Sequence, residues 1–147
     1  MYEISILLII LGMGVIFGVA LTASIVVHPI LISVKRTTAI EIFKPFFDST
    51  HVIVLILSIG VSLLALLASI LSGNWWWFGI SLIMHLNGPY TIFMMMPLNH
   101  RLMADDVDPE SEQTARDLQK WGSLHAVRTL MNGVIFITFI ILQVYFS

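Results

Sequence analysis

The chain has 147 residues, of which 58% are hydrophobic and only 11% are charged, whereas soluble domains are about 45–50% apolar and about 25% charged. It contains no cysteine, which excludes disulfides, thiolate metal sites, iron–sulfur clusters and a cysteine nucleophile. The formal net charge of -2 without a basic run argues against nucleic acid as a partner. This composition predicts an integral membrane protein.

Long uncharged segments predict four membrane-spanning helices. As one helix, the stretch between Asp48 and Arg101 would be more than twice as long as a hydrocarbon core of about 30 Å is thick, so it must contain two spans. Ser72, Gly73 and Asn74 form the turn between them. The predicted spans cover about residues 4–34, 50–72, 75–98 and 115–146. The fold class is all-α, a four-helix transmembrane bundle, with residues 1–147 as one integral membrane domain.

The positions of lysine and arginine predict how the helices are oriented. The first connection carries Lys35, Arg36 and Lys44, and the third carries Arg101, Arg116 and Lys120. Because basic residues stay on the cytoplasmic side, we expect a multi-pass protein of the plasma or inner membrane with these two connections inside. Both termini, including Ser147, and the turn at Asn74 then face outward. The N-terminus lacks the positive segment of a signal peptide, so we expect the first helix to be retained. The acidic residues of the third connection, Asp117 among them, are expected to be solvated.

Polar side chains inside the predicted spans fall on one face of each helix, as groups facing the interior of a bundle should. At about 100° per residue, the polar positions of the second helix lie within about 40° and those of the fourth within about 60°. They are His51, Ser58, Ser62 and Ser69 on the second helix, and Trp121, His125, Arg128, Asn132 and Gln143 on the fourth. The first helix contributes Ser24 and His28, and the third contributes His85, Asn99 and His100. All histidines except His85 are predicted to converge at the cytoplasmic end.

Arg128 is the most informative of these residues, because an arginine inside a membrane costs about 2.5–3.5 kcal/mol on insertion scales. The predicted spans contain no membrane-buried carboxylate to pair with it. Two interpretations are open: Arg128 extends to the interface or bonds carbonyls at a helix end, or it holds an anion or oxyanion. His85 fits an interhelical hydrogen bond, and an interfacial position is enough to explain His51 and His100.

Three segments of the sequence resemble a known family. They are His28-Pro29 at the end of the first span, Pro97-Leu-Asn99-His100-Arg101-Leu at the end of the third, and Trp121-x-x-x-His125-x-x-Arg128-Thr129 at the start of the fourth. In their order and spacing on four spans they are similar to the anthrone oxygenase-like family of small membrane proteins. The resemblance covers essentially the whole chain.

This resemblance implies a membrane oxidoreductase that uses molecular oxygen to convert an activated methylene of a lipophilic phenolic or polycyclic substrate, giving a quinone. By position, the matching residues are His28, Asn99, Trp121, His125 and Arg128. Carbanions of this substrate class are delocalised oxyanions that can reduce oxygen without a metal, so the cofactor is left open between none and haem or copper. His125 fits the base and Arg128 the oxyanion partner. Asn99 can donate a hydrogen bond, Trp121 can stack on the substrate, and His28 orients the base or serves as a second base.

The sequence leaves two other interpretations open. Histidines converging from different helices are also how bundles hold haem or copper, and the candidate metal ligands are His28, His51, His100 and His125. Alternatively, the polar faces only specify helix pairing in a non-catalytic assembly subunit or scaffold, with a protein partner or further copies of the chain around it. The lipid bilayer is expected as a partner in every case, and a lipophilic small molecule only if the protein is an oxygenase.

Overall fold

The structure is a computed structural model that describes residues 1–146, and it contains four helices. They are α1 (Tyr2–Ser33), α2 (Arg36–Ser72), α3 (residues 76–102) and α4 (Glu112–Phe146). Each helix packs on its neighbours in the chain, and α1 also packs on α4, which closes the bundle. The predicted all-α fold with four helices is confirmed, and no strand occurs within the described residues. Ser147, predicted to face outward, lies outside those residues.

Three of the helices, α1, α2 and α4, are long and apolar enough to cross a membrane. α3 is interrupted by a turn at His85 and Leu86, so its passage across the bilayer stays a prediction. The outward-facing side chains are apolar, with Leu55 52%, Ile92 60% and Val144 72% exposed. Soluble monomers rarely expose extended apolar patches, so this surface is suited to contact with lipid.

α2 begins at Arg36, well before the predicted start near residue 50. The sequence predicts a connection here because the segment carries charged residues, Lys44 among them. It also contains the helix breaker Pro45. Tertiary packing keeps the segment helical instead: Ala39 and Phe43, one turn apart on the same face, are completely buried. A buried aromatic side chain contributes about 1.5–3 kcal/mol, which helps to offset the backbone hydrogen bond that proline removes.

Two π-helical turns interrupt the α-helices close to prolines. One covers Ala23–Val27 in α1 and precedes Pro29, and the other covers Thr91–Met95 in α3 and precedes Pro97. A proline ring clashes with the carbonyl four residues earlier, and a local change to i→i+5 hydrogen bonding relieves that clash. The wider turn changes the rotation around the helix axis, so residues after it, such as His28, leave the face predicted from regular 100° steps.

The buried side chains form two apolar clusters, one at each end of the bundle. The cluster near the α2–α3 turn includes Ile6, Met13, Ala65, Trp77 and Phe139. The other includes Leu31, Phe43, Met95, Leu98 and Trp121, and it lies at the end that holds the α1–α2 and α3–α4 connections. We call this the connection end of the bundle. It is also where the polar residues of interest gather.

A two-point ion pair holds the beginning of α4 against the end of α3. Arg101 Nε and Nη2 donate to the two carboxylate oxygens of Asp117 at 2.8 and 2.9 Å, and Gln113 adds a third donor at 2.9 Å. The Asp117 side chain is only 5% exposed, so the expectation of a solvated residue is wrong at this position. Bidentate pairs are strong and geometrically specific, and this one places the residues that follow it on α4.

Candidate active site

A small cavity at the connection end collects polar side chains from three helices. It is lined by His51 on α2, Asn99 on α3, and His125 and Arg128 on α4, with Trp121 and apolar residues completing the wall. Its volume is about 30 Å³, which is enough for a water-sized molecule but not for a ring system. Of the five residues singled out by the resemblance, His28 is the one that does not line this cavity.

A chain of hydrogen bonds holds the His125 ring at its Nδ1 atom. His125 Nδ1 lies 3.2 Å from Ser24 Oγ on α1, and Ser24 Oγ lies 2.7 Å from Thr129 Oγ1, one turn further along α4. Thr129 Oγ1 donates to a backbone carbonyl, with the oxygen of Ala20 at 2.9 Å and that of His125 at 3.0 Å. His125 is 6% exposed, so these contacts and its packing define the position of the ring.

Counting hydrogens along this chain indicates the tautomer of His125. Thr129 has one hydroxyl hydrogen, and the carbonyl oxygens beside it can only accept. If Thr129 donates to a carbonyl, Ser24 donates to Thr129 and accepts from Nδ1–H of His125, so all three links are made. In the reverse direction no hydrogen is left for the carbonyls, and one link is lost. The chain therefore favours a His125 protonated on Nδ1, and in the neutral imidazole this leaves the Nε2 lone pair available as a base.

Arg128 has no counter-ion within residues 1–146. The ion pairs of that range involve Arg36, Lys44 and Arg101, and Nε of Arg128 is buried without a hydrogen-bond partner. The side chain lines the same cavity as His125, which favours the anion-binding interpretation over extension to the interface. A partly buried guanidinium without an anionic partner among these residues is attractive to a negatively charged ligand.

Three further buried polar atoms near the cavity lack a partner in the described part of the chain. They are His28 Nε2, Asn99 Oδ1 and Trp121 Nε1. Asn99 is 1% exposed, and its amide nitrogen makes only a long contact of 3.8 Å with the sulfur of Met96. Buried polar groups are normally hydrogen-bonded, and leaving one unsatisfied costs about 1–3 kcal/mol. Asn99 and Trp121 line the cavity, so a polar ligand there is placed to complete their bonding, whereas His28 is not.

Trp121 forms the aromatic wall of the cavity. Its ring lies edge-on to Phe43 and Phe46, with 5.5 and 6.3 Å between ring centroids. The centroid of the His125 ring is 4.7 Å away on the same helix. Because Trp121 is only 2% exposed, little of its surface is available for a substrate to stack on. The ring instead contacts His125 as well as the aromatic side chains of α2.

His28 lies behind Trp121 rather than in the cavity. The two ring centroids are 6.1 Å apart, and the imidazole rests on Gly122, in the space that a β-carbon at that position would occupy. His28 contacts Trp121 and Gly122 and does not line the cavity. This geometry favours a role in positioning the wall, not the second base that the resemblance allows.

The other histidines are distributed over different environments. His51 lines the cavity, whereas His100 is exposed at the end of α3. His85 Nε2 lies 2.8 Å from Ser62 Oγ, which is the interhelical hydrogen bond that the sequence suggests. Among residues 1–146, no group of three His, Asp or Glu side chains is placed to hold a metal ion. His51 and His125 are the two histidines at the cavity.

Some residues that shape the site can be identified from the sequence, and others cannot. Ser24 and Thr129 are each one helical turn from a histidine, His28 and His125 respectively, so a search for polar neighbours of these histidines finds them. Gly122 carries no such signal, because its importance depends on which side chain of α1 packs against it. That contact exists only in the assembled bundle.

A protein-family model described as anthrone oxygenase matches residues 43–138, more than half of the chain. The matched region contains Asn99, His125 and Arg128, whereas His28 precedes it. No curated protein and no solved structure matches the chain. The family match confirms the resemblance seen in the sequence motifs, and at the level of the family it supports an oxygenase-like function. The chain belongs to the anthrone oxygenase family.

Proposed function

We propose that this protein oxidises a lipophilic phenolic or polycyclic substrate with molecular oxygen at the cavity of Asn99, His125 and Arg128. One observation carries the proposal: an arginine without a counter-ion among residues 1–146 and a histidine with an available Nε2 line the same cavity. Membership in the anthrone oxygenase family supports the type of reaction. The substrate reaches the protein dissolved in the lipid bilayer.

The reaction begins when His125 Nε2 removes a proton from an activated methylene of the substrate. The electron pair left on carbon is delocalised onto a substrate oxygen, and Arg128 stabilises that oxyanion. Molecular oxygen accepts the electrons and bonds to the carbon, and the resulting peroxide anion takes the proton back from His125 to give a hydroperoxide. His125 then removes the second hydrogen of that carbon, the O–O bond breaks as the carbonyl forms, and the proton on His125 passes to the leaving hydroxide to give water. One methylene and one oxygen molecule thus become one carbonyl and one water, and this balance requires no further oxidant.

His125 and Arg128 make separate contributions to the proposed rate enhancement. A positioned general base contributes about 10²–10⁴-fold, and one well-placed oxyanion partner contributes about 10²–10³-fold. Asn99, with a buried amide that has no strong partner, is suited to a further hydrogen bond to the substrate oxygen. The small volume of the cavity suits molecular oxygen, so the ring system of the substrate must lie outside it.

The proposal is tested on the protein in lipid nanodiscs supplied with an anthrone as the probe. Oxygen uptake and quinone absorbance are recorded together, since both must rise in the same proportion. We expect His125→Ala and Arg128→Leu each to lower kcat by about a hundredfold or more. His100→Ala and Arg116→Leu are the matched controls, because both side chains are exposed, and they should retain the wild-type rate.

Full turnover in both His125→Ala and Arg128→Leu at normal expression would overturn the proposal. The polar faces would then serve helix pairing alone. In that case the non-catalytic alternative, an assembly subunit with a protein partner or a second copy of the chain, would be the better account.

A further inference from the structure

A second and larger cavity lies between α2 and α3, on the other side of Arg128. Its volume is about 280 Å³, and its wall includes Leu55, Ser58, His85, Asn87, Thr91 and Arg128. We call it the lateral groove. Its volume is close to the lower end of the range for small-molecule sites, about 300–1,000 Å³, whereas the cavity beside His125 is far smaller.

Arg128 is shared by both spaces. The side chain lines the small cavity together with His125 and lines the lateral groove together with Asn87. His51 is also common to the two linings. A molecule in the lateral groove would therefore have one end at the guanidinium that we propose as the oxyanion partner. The reacting edge of that molecule would face the cavity of His125.

The mouth of the lateral groove opens toward lipid. Two of its lining residues, Leu55 on α2 and Ile92 on α3, are 52% and 60% exposed. α3 is interrupted at His85 and Leu86, and Gly88 next to the break presents no side chain to fill the space. The interruption of α3 is thus the structural origin of the opening. A solute of the hydrocarbon core can enter through it without passing through water.

Inside the groove, Asn87 has an unused hydrogen-bond acceptor. Its amide nitrogen donates to the carbonyl oxygen of Met84 at 3.0 Å and to Asn132 Oδ1 at 3.2 Å. Because a carbonyl only accepts, this pairing identifies the amide nitrogen and leaves Oδ1 as the free atom, which is buried without a partner. No water is available in a bilayer core to satisfy it. The hydroxyl group of a ligand can donate a hydrogen bond to this oxygen after the Asn87 side chain rotates slightly.

From these observations we infer that the lateral groove binds the ring system of the substrate, which enters sideways from the bilayer between α2 and α3. The ligand is a flat, lipophilic phenol with oxygens at two ends. Its hydroxyl donates to Asn87 Oδ1, and its ionisable oxygen meets Arg128. This inference rests on the proposed function for the identity of the reaction, but binding in the groove can be measured without turnover.

The binding test uses a dihydroxyanthraquinone, which is not oxidised further, as the probe in nanodiscs. Ser58→Phe adds an aromatic ring inside the groove, and Ile59→Phe adds the same ring at the neighbouring position, which is 50% exposed and outside the lining. We expect Ser58→Phe to raise Kd for the probe at least tenfold and Ile59→Phe to leave it unchanged. A further comparison of the probe with its methyl ether in Asn87→Leu should show that the preference for the free hydroxyl is lost.

The possible outcomes test ligand binding in the groove and the proposed oxidation reaction separately. Suppose that the wild type binds the probe in a manner sensitive to Ser58→Phe but does not oxidise an anthrone. The inferred binding groove is then supported, and the proposed function is overturned. If the wild type oxidises an anthrone and both phenylalanine variants have wild-type KM and Kd, the groove is overturned and the proposed function stands. Should Ser58→Phe fail to yield monodisperse protein, the hydroxyl preference of Asn87→Leu decides, and an unchanged preference overturns the inference.

Discussion

Ser24 Oγ on α1 lies 3.2 Å from Nδ1 of His125 on α4. Because Ser24 also lies 2.7 Å from Thr129, whose hydroxyl is used by backbone carbonyls, the serine accepts from the imidazole. A residue of the first helix thus decides which nitrogen of a fourth-helix histidine carries the proton. The base function that we propose for His125 depends on this link.

The first prediction concerns this link. Ser24→Ala should lower kcat about tenfold, which corresponds to about 1.4 kcal/mol of transition-state stabilisation, and it should leave KM nearly unchanged. Ser24→Thr keeps the hydroxyl and should restore most of the rate. Ser33→Ala is the control, since Ser33 is exposed on the same helix and bonds only the Ile30 carbonyl. Equal kcat for Ser24→Ala and the wild type would show that the tautomer is held by other means.

The second prediction separates the charge of Arg128 from its shape. Arg128→Lys keeps a cation but loses the planar fork, so anthrone turnover should fall while the melting temperature changes little. Arg128→Leu removes a guanidinium whose Nε has no partner, so it should be at least as stable as the wild type and inactive. Thermal unfolding in detergent and oxygen uptake measure the two properties. A large fall in stability for Arg128→Leu would indicate a structural role for the guanidinium.

The third prediction concerns the contact between Gly122 and His28. Gly122→Ala introduces a β-carbon where the imidazole lies, and overpacking of this kind costs about 1–3 kcal/mol. The double variant Gly122→Ala with His28→Ala should recover much of that loss, because the clash is gone, and the cycle gives the coupling energy. Gly18→Ala is the control, since nothing lies within 4 Å of its added carbon. Strict additivity in the cycle would contradict the contact.

The fourth prediction concerns the ion pair at the beginning of α4. Asp117→Asn removes a charged acceptor from Arg101, and we expect the free energy of unfolding to fall by about 1–2 kcal/mol. This is toward the lower end for charged hydrogen bonds, because the Arg101 side chain is half exposed. Glu110→Gln is the control: its side chain is 71% exposed in its pair with Arg36, so its effect should be below about 0.5 kcal/mol. Equal effects of the two substitutions on unfolding would refute the special role of Asp117.

The fifth prediction concerns orientation in the membrane. Because the chain contains no cysteine, single cysteines can be introduced and labelled without background. Asn74→Cys should react with an impermeant reagent in intact cells, whereas Asp108→Cys should react only after permeabilisation, as expected when the basic connections are inside. The opposite labelling pattern would reverse the predicted orientation.

The sequence by itself determined the number of helices and placed His125 and Arg128 on one face of the fourth helix, but it did not determine where α2 begins. Charges and turn residues are local features, and the spacing of uncharged segments is enough to predict four helices. His125 and Arg128 are three residues apart on an uninterrupted helix, so they share a face in any fold that keeps α4 intact. The hydrogen bond between His85 and Ser62 follows in the same way from polar positions on adjacent helices joined by a short turn.

Only the tertiary structure decided which side chains meet across helices. Ser24 and His125 are 101 positions apart, and their contact depends on how α1 is rotated, which a π-helical turn beside Pro29 changes. The same rotation places His28 behind Trp121 instead of in the cavity. Helix periodicity describes the faces of one helix, whereas rotation and packing between helices depend on the sum of all their contacts. That is why the sequence could name candidate residues, but could not divide them into those that line the cavity and those that only contact its wall.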